Sequence, residues 1–188
     1  MNNPTIADIF ANNNNIHEKL KTTLGSLTAE QASSLPEGEK WTVAQIVEHL
    51  SLVEENMSKI CSKLLLKAQS GEKSSDGTVR ISPAFVEKAA EIAAIKLEAP
   101  DIVHPSASLS IAESISKMDE NRKRLDQIRP LFEAYDCNED KFPHPFLGDI
   151  SAVEWLTLVG GHEARHLRQI KNLLEKNRKI KSPGYEEG

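Results

Sequence analysis

Gly160-Gly161-His162-Glu163-Ala164-Arg165-His166 lies in the middle of a run from Ser151 to Asn177, and the reading of that run decides the fold. Trp155, Val159, His162, His166, Ile170 and Leu173 follow one another at spacings of four, three, four, four and three. That is the stripe of an amphipathic helix. Residues i and i+4 stack on one helical face, so His162 and His166 sit one above the other on the apolar side. The same letters spell H-E-x-x-H, a zinc-protease signature. Ser151 and Glu154 form a capping box in front of the run.

Working back along the chain, the same period recurs. Ser110-Ile111-Ala112-Glu113 is another capping box, opening a helix to about Tyr135 striped by Ile111, Ile115, Met118, Leu125 and Phe132. Pro130 should end or kink it near Ile128 or Arg129. Thr42 and Gln45 cap a helix that runs to about Ala68, striped by Val43, Ile46, Val47, Leu50, Val53, Met57, Ile60 and Leu64. The first helix should span about Asn3 to Leu27, with Asn3 as cap and Pro4 in its first position. Its stripe is Ile6, Ile9, Phe10, Ile16, Leu20, Leu24 and Leu27. Between the second and third long helices, residues 69–108 read as a crossover with a short helix from Ser82-Pro83 to about Leu97. Tyr135 to Gly148 reads as a loop. Aromatic residues are 5% of the chain and no segment alternates cleanly at period two, so the class is all-α.

A chain of 188 residues with 39% hydrophobic and 27% charged residues fits one domain, residues 1–188, with a flexible tail over 178–188. The net charge of −5 argues against a nucleic-acid partner. No apolar run approaches a membrane span, and Met1-Asn2-Asn3-Pro4 lacks the features of a signal peptide. Cys61 and Cys137 make no CxxC and read as free thiols with no nucleophile motif. A cytoplasmic protein is the expectation.

The chemistry gathers on histidines. His49 falls on the inward face of the second helix, three after Ile46 and four before Val53. Alone it is either a ligand or a hydrogen-bonded core group. Joined to His162 and His166 it gives three imidazoles, a set that can hold a divalent metal and leave a position open for substrate. Gly160-Gly161 break helix propensity beside the first of the pair, either making room for metal or substrate or letting a helix pack closely. Glu163 lies about 100° around the helix from His162. It is a supporting carboxylate or a solvated surface group. Arg122 falls on the third helix's stripe and either snorkels outward or points into a pocket. Asn13 falls on the first stripe as a buried hydrogen-bonder or a site-lining residue. His17 flanks that stripe and reads as a surface residue. A zincin protease is excluded: the extended signature needs Gly at Gln169 and His at Asn172, and no downstream Glu on another helix is available.

Trp41-Thr42-Val43-Ala44-Gln45-Ile46-Val47-Glu48-His49-Leu50, His144-Pro145-Phe146-Leu147-Gly148 and Gly161-His162-Glu163-Ala164-Arg165-His166-Leu167-Arg168-Gln169-Ile170 resemble, in order, three motifs of DinB-like proteins, including the YfiT-type metal-dependent hydrolases. The resemblance implies a four-helix bundle of up-down-down-up course. It also implies zinc or nickel on His49, His162 and His166, and a homodimer. Characterised relatives include S-transferases that use low-molecular-weight thiols. A thiol S-transferase or hydrolase acting on a small electrophile is therefore the leading expectation, with Glu163, Arg122 and Asn13 as candidate pocket residues. The alternative is a non-enzymatic metallo-bundle serving as a ligand-binding or stress-response module. No sequence feature assigns His144 a role.

Overall fold

The computed structural model describes residues 4–93, 95 and 97–181. Its elements are α1 (Ile6–Gly25), α2 (Ala29–Ser33), α3 (Val43–Ser70), α4 (Pro83–Ala93), a 3-10 turn (Asp101–Val103), α5 (Ile111–Ala134), β1 (Lys141–His144), β2 (Gly148–Ser151) and α6 (Ala152–Lys181). The protein is mostly helical with one small antiparallel hairpin. No helix among the described residues is long and apolar enough to cross a membrane.

The helix starts follow their caps. Thr42, Ser110 and Ser151 each accept the N3 amide and are answered by Gln45, Glu113 and Glu154. α1 begins later than its Pro suggests. Thr5 and Asp8 form a reciprocal box that caps Ile6, while Asn3 lies outside the described residues. A fifth box, Thr28 with Gln31, opens the one-turn α2, which periodicity does not reveal because none of its residues is buried. α5 runs through Pro130 to Ala134 instead of breaking. The carbonyl that Pro130 cannot satisfy belongs to Asp126, an exposed residue that water can reach. α4 ends at Ala93, short of Leu97. α6 continues to Lys181, so residues 178–181 are helical; the rest of the expected flexible tail, 182–188, lies outside the described residues.

The expected loop over 135–148 also needs correction, because its latter part folds into the hairpin. Lys141 pairs with Ser151, Phe142 with Ile150 and His144 with Gly148. Gly148 supplies the positive φ, +76°, that the turn requires. Strands of four residues, one containing Pro143, are too short to show alternation.

α3 packs along α5 and α6, and α1 along α6, whereas the α1–α5 seam is sparse. The apolar interior falls into two clusters. One holds Phe10, Met57, Leu65, Leu125, Phe132 and Leu156; the other holds Leu20, Ile46, Leu50, Met118, Ile170 and Leu173. Each such side chain stabilises the fold by about 1.5–3 kcal/mol relative to exposure. Between the clusters every long helix contributes polar buried residues: Asn13 and His17 from α1, Glu54 from α3, Asn121 and Arg122 from α5, Glu163 from α6. α1 and α6 pass from the first cluster to the second, α3 and α5 from the second to the first.

Candidate metal centre

Two helices supply the three histidines. His49 projects from the second turn of α3, and His162 and His166 from the middle of α6. One nitrogen from each lies within 4.8 Å of the others. The His162 and His166 Nε2 atoms are 3.2 Å apart. The His49 ring is 5.3 Å from that of His162 and 5.0 Å from that of His166, centroid to centroid.

Two of the rings are oriented from behind. His49 Nδ1 donates to the Val103 carbonyl at 2.7 Å, which leaves Nε2 with the lone pair. His166 Nδ1 donates to Gln169 Oε1 at 2.8 Å, again freeing Nε2. Such partners fix tautomer and ring angle in metal-binding histidines. Trp41 lies against His49 at 4.9 Å and meets His104 edge-on at 5.4 Å.

All three imidazoles are held neutral. Burial lowers His49; burial and then the facing His166 and His49 rings lower His162 well below the ordinary range. Burial, followed by His49, brings His166 to about 3. Neutral imidazole is the form that binds metal. Three converging neutral nitrogen donors could therefore hold a metal ion. His49 and His166 are buried, whereas His162 is partly exposed and Gly161 exposed. A Cβ on Gly161 would meet nothing within 4 Å among the described residues. Among the described residues the cluster thus reaches the surface through His162.

The other candidate residues are elsewhere. Glu163 is not a solvated surface group. It is 1% exposed, accepts from His17 Nδ1 at 2.8 Å and pairs with Arg122 Nη2 at 2.5 Å. Arg122 neither snorkels outward nor faces the imidazoles; its Nε pairs with Glu54 at 2.6 Å. Burial pushes Glu54 up to about 7 even beside that guanidinium. His17, expected at the surface, is buried, with Asp119 3.0 Å from its Nε2. A ring with a carboxylate at each nitrogen is satisfied only as an imidazolium. Burial, the largest single influence on His17, opposes that charge, but Glu163 and Asp119 together outweigh it and raise its pKa. Asn13 Nδ2 donates to the Leu156 carbonyl at 2.8 Å, packing α1 onto α6. None of the hydrogen bonds or ion pairs of Asn13, Arg122 or Glu163 among the described residues reaches the histidine cluster.

His144 sits at the end of β1 with its ring 5.2 Å from that of Trp155 on α6, near enough to be one of the groups that lower the His162 pKa. Its Nδ1 accepts the amides of Phe146 and Leu147, both at 3.1 Å, and burial takes its pKa down to about 4. Both cysteines are buried. Burial raises the thiol of Cys61 far above its usual range and that of Cys137 to about 11.

A family model described as DinB superfamily matches residues 15–170, most of the chain and all three histidines. The chain belongs to the DinB superfamily. The uncharacterised protein YuaE of Bacillus subtilis (strain 168) is similar to it, with 26% identity over 157 residues that cover 81% of this chain and 89% of YuaE. In this DinB protein the helix pattern and the i, i+4 spacing point to His49, His162 and His166. Gln169, three residues after His166 on the same helix, is within reach of the same spacing argument, whereas Val103 and Trp41 lack any such signal, because a backbone carbonyl and a contact set by tertiary packing leave no periodic trace.

Proposed function

We propose that this DinB protein is a metal-dependent enzyme acting on a small electrophile, by thiol S-transfer or hydrolysis. The observation that carries the reading is the convergence of three neutral imidazoles, one of which, His162, is partly exposed. Held by His49, His162 and His166, zinc or nickel would supply Lewis acidity and favour the deprotonated form of a thiol or water at the open position. Val103 and Gln169 hold the His49 and His166 rings in the donating tautomer. Trp41 covers the back of His49.

The same proposal includes the scaffold. The shared direction of α1 and α6, opposite to that of α3 and α5, between two apolar clusters supports a single four-helix-bundle domain of up-down-down-up course. A homodimer, the state the family resemblance implies, belongs to it as well and is read by sedimentation equilibrium.

The test compares zinc- or nickel-loaded wild type with His166→Ala. Turnover of a chromogenic aryl halide is followed with glutathione, bacillithiol or mycothiol, and turnover of a nitrophenyl ester is followed without thiol. Metal-dependent turnover lost in the variant supports the enzyme. Metal uptake with equal rates in both proteins overturns it in favour of a metal-holding module.

A further inference from the structure

Glu48, beside His49 on α3, is 2% exposed yet carries a carboxylate. A buried carboxylate is costly unless its oxygens are well hydrogen-bonded. Every donor to it comes from one short piece of the crossover. The Ser106 amide donates at 3.2 Å, the Ser106 hydroxyl at 2.7 Å, the Ala107 amide at 2.8 Å and the Ser108 hydroxyl at 3.4 Å. The two hydroxyls also touch each other at 2.7 Å. Ala107 has φ +60°, a left-handed conformation that is unfavourable for an alanine. Strain of this kind persists only where the surroundings over-determine it.

The same stretch of crossover carries the carbonyl that orients His49. Val103 lies three residues before Ser106, and its oxygen is 2.7 Å from His49 Nδ1. Consecutive residues of α3 therefore grip the crossover at two points. One grip is a single bond to the imidazole. The other is a four-donor clamp to the carboxylate. Val103 closes the 3-10 turn, buried and with its amide bonded to the Pro100 carbonyl, and the clamp fixes the exposed residues 106–108 that lead from this turn into α5.

We propose that Glu48 is a positioning residue: it straps segment 103–108 across α3 and, through Val103, sets the tautomer and angle of the His49 ring. The inference rests on the reading of the three histidines as a metal site. Linkage makes the coupling reciprocal. Loosening the strap weakens metal binding, and binding metal tightens the strap.

Zinc affinity is measured by competition with a chromophoric chelator for wild type, Glu48→Ala, the double variant Ser106→Ala/Ser108→Ala, and Ala107→Gly. Amide exchange of 103–108 in the wild type is followed with and without zinc. Partners behind a ligating histidine are worth about 10–100-fold in affinity. Glu48→Ala should lose that much and the double serine variant several-fold. Ala107→Gly, which relieves the strain and keeps the amides, should stay within about twofold of wild type. Zinc should slow exchange across 103–108. Circular dichroism checks that each variant is folded. If Glu48→Ala does not fold, the exposed serine pair and the wild-type exchange experiment carry the test. Wild-type affinity in folded Glu48→Ala, or in the serine variant should the first not fold, overturns the strap, as does exchange indifferent to zinc. A wild type that takes up no zinc removes the metal reading itself.

Discussion

A Cβ built on Gly160 would stand 2.1 Å from Asn13 Oδ1 and 3.3 Å from Asn13 Cα, so α1 and α6 meet at a point where only a hydrogen fits. That contact explains Gly160 as a packing residue. Its neighbour Gly161 faces open space. Adjacent glycines thus answer to different constraints. Gly160→Ala should push the Asn13 amide off the Leu156 carbonyl and destabilise the protein by about 1–3 kcal/mol. Gly161→Ala should stabilise it by about 0.5–1 kcal/mol, the ordinary helix-propensity gain. Urea unfolding of the two variants reads the contrast; equal effects would contradict the packing assignment.

Arg122 bridges Glu54 and Glu163, both buried. Removing it leaves Glu54 without its cation and Glu163 with His17 alone, and Arg122→Met should cost about 3–5 kcal/mol. The triple change Glu54→Leu/Arg122→Met/Glu163→Leu removes all three charges together and should cost less than Arg122→Met alone. Chemical denaturation with chelator present, so that metal does not contribute, compares the two. A triple variant less stable than the single one would show that the ionic layer itself holds the helices.

The pH dependence of this layer has a defined sign. The folded pKa of His17 lies above its unfolded value of 6.5, so its contribution is fully present below pH 6.5 and is lost as pH rises through the raised value. Glu54, raised from 4.5 to about 7, binds its proton more readily in the folded state, so its contribution also declines as pH rises between those values. The stability gap between wild type and His17→Gln, measured in chelator, should therefore be large at pH 6 and narrow toward pH 9. A gap that does not change with pH would mean that His17 is not charged between Glu163 and Asp119.

Metal binding should register as thermal stability. Free zinc at about a hundred times its dissociation constant adds about 2.7 kcal/mol, roughly 5–10 °C in Tm for a chain of this size. Chelator should reverse the shift, and His166→Ala should abolish it. Differential scanning fluorimetry suffices; a shift of equal size in His166→Ala would place the metal elsewhere.

Much of this was readable from the residues because it is local. Thr42 with Gln45, Ser110 with Glu113 and Ser151 with Glu154 announce helix starts within four residues, and His162 and His166 share a face by spacing alone. What escaped reading depends on partners far away in sequence. His17 looks like a surface residue until Asp119 and Glu163, more than a hundred residues on, come to either side of its ring. Arg122 on an apolar stripe suggests an anion from outside, whereas the anions are Glu54 and Glu163 of the protein itself. The hairpin escaped because four-residue strands carry too little pattern. The capping box Thr28–Gln31, by contrast, was there to be seen and marks α2.

The two cysteines set the terms of any thiol chemistry at this site. Cys61 and Cys137 are shut in the apolar interior and kept protonated at neutral pH. A thiolate is the reactive form, so these two cysteines bring no competing sulfur nucleophile to the proposed reaction. Thiol consumed in a turnover assay is thiol that was added. Reductant can be left out of the buffers, and a thiol-blocking reagent can quench the free co-substrate while sparing the folded protein.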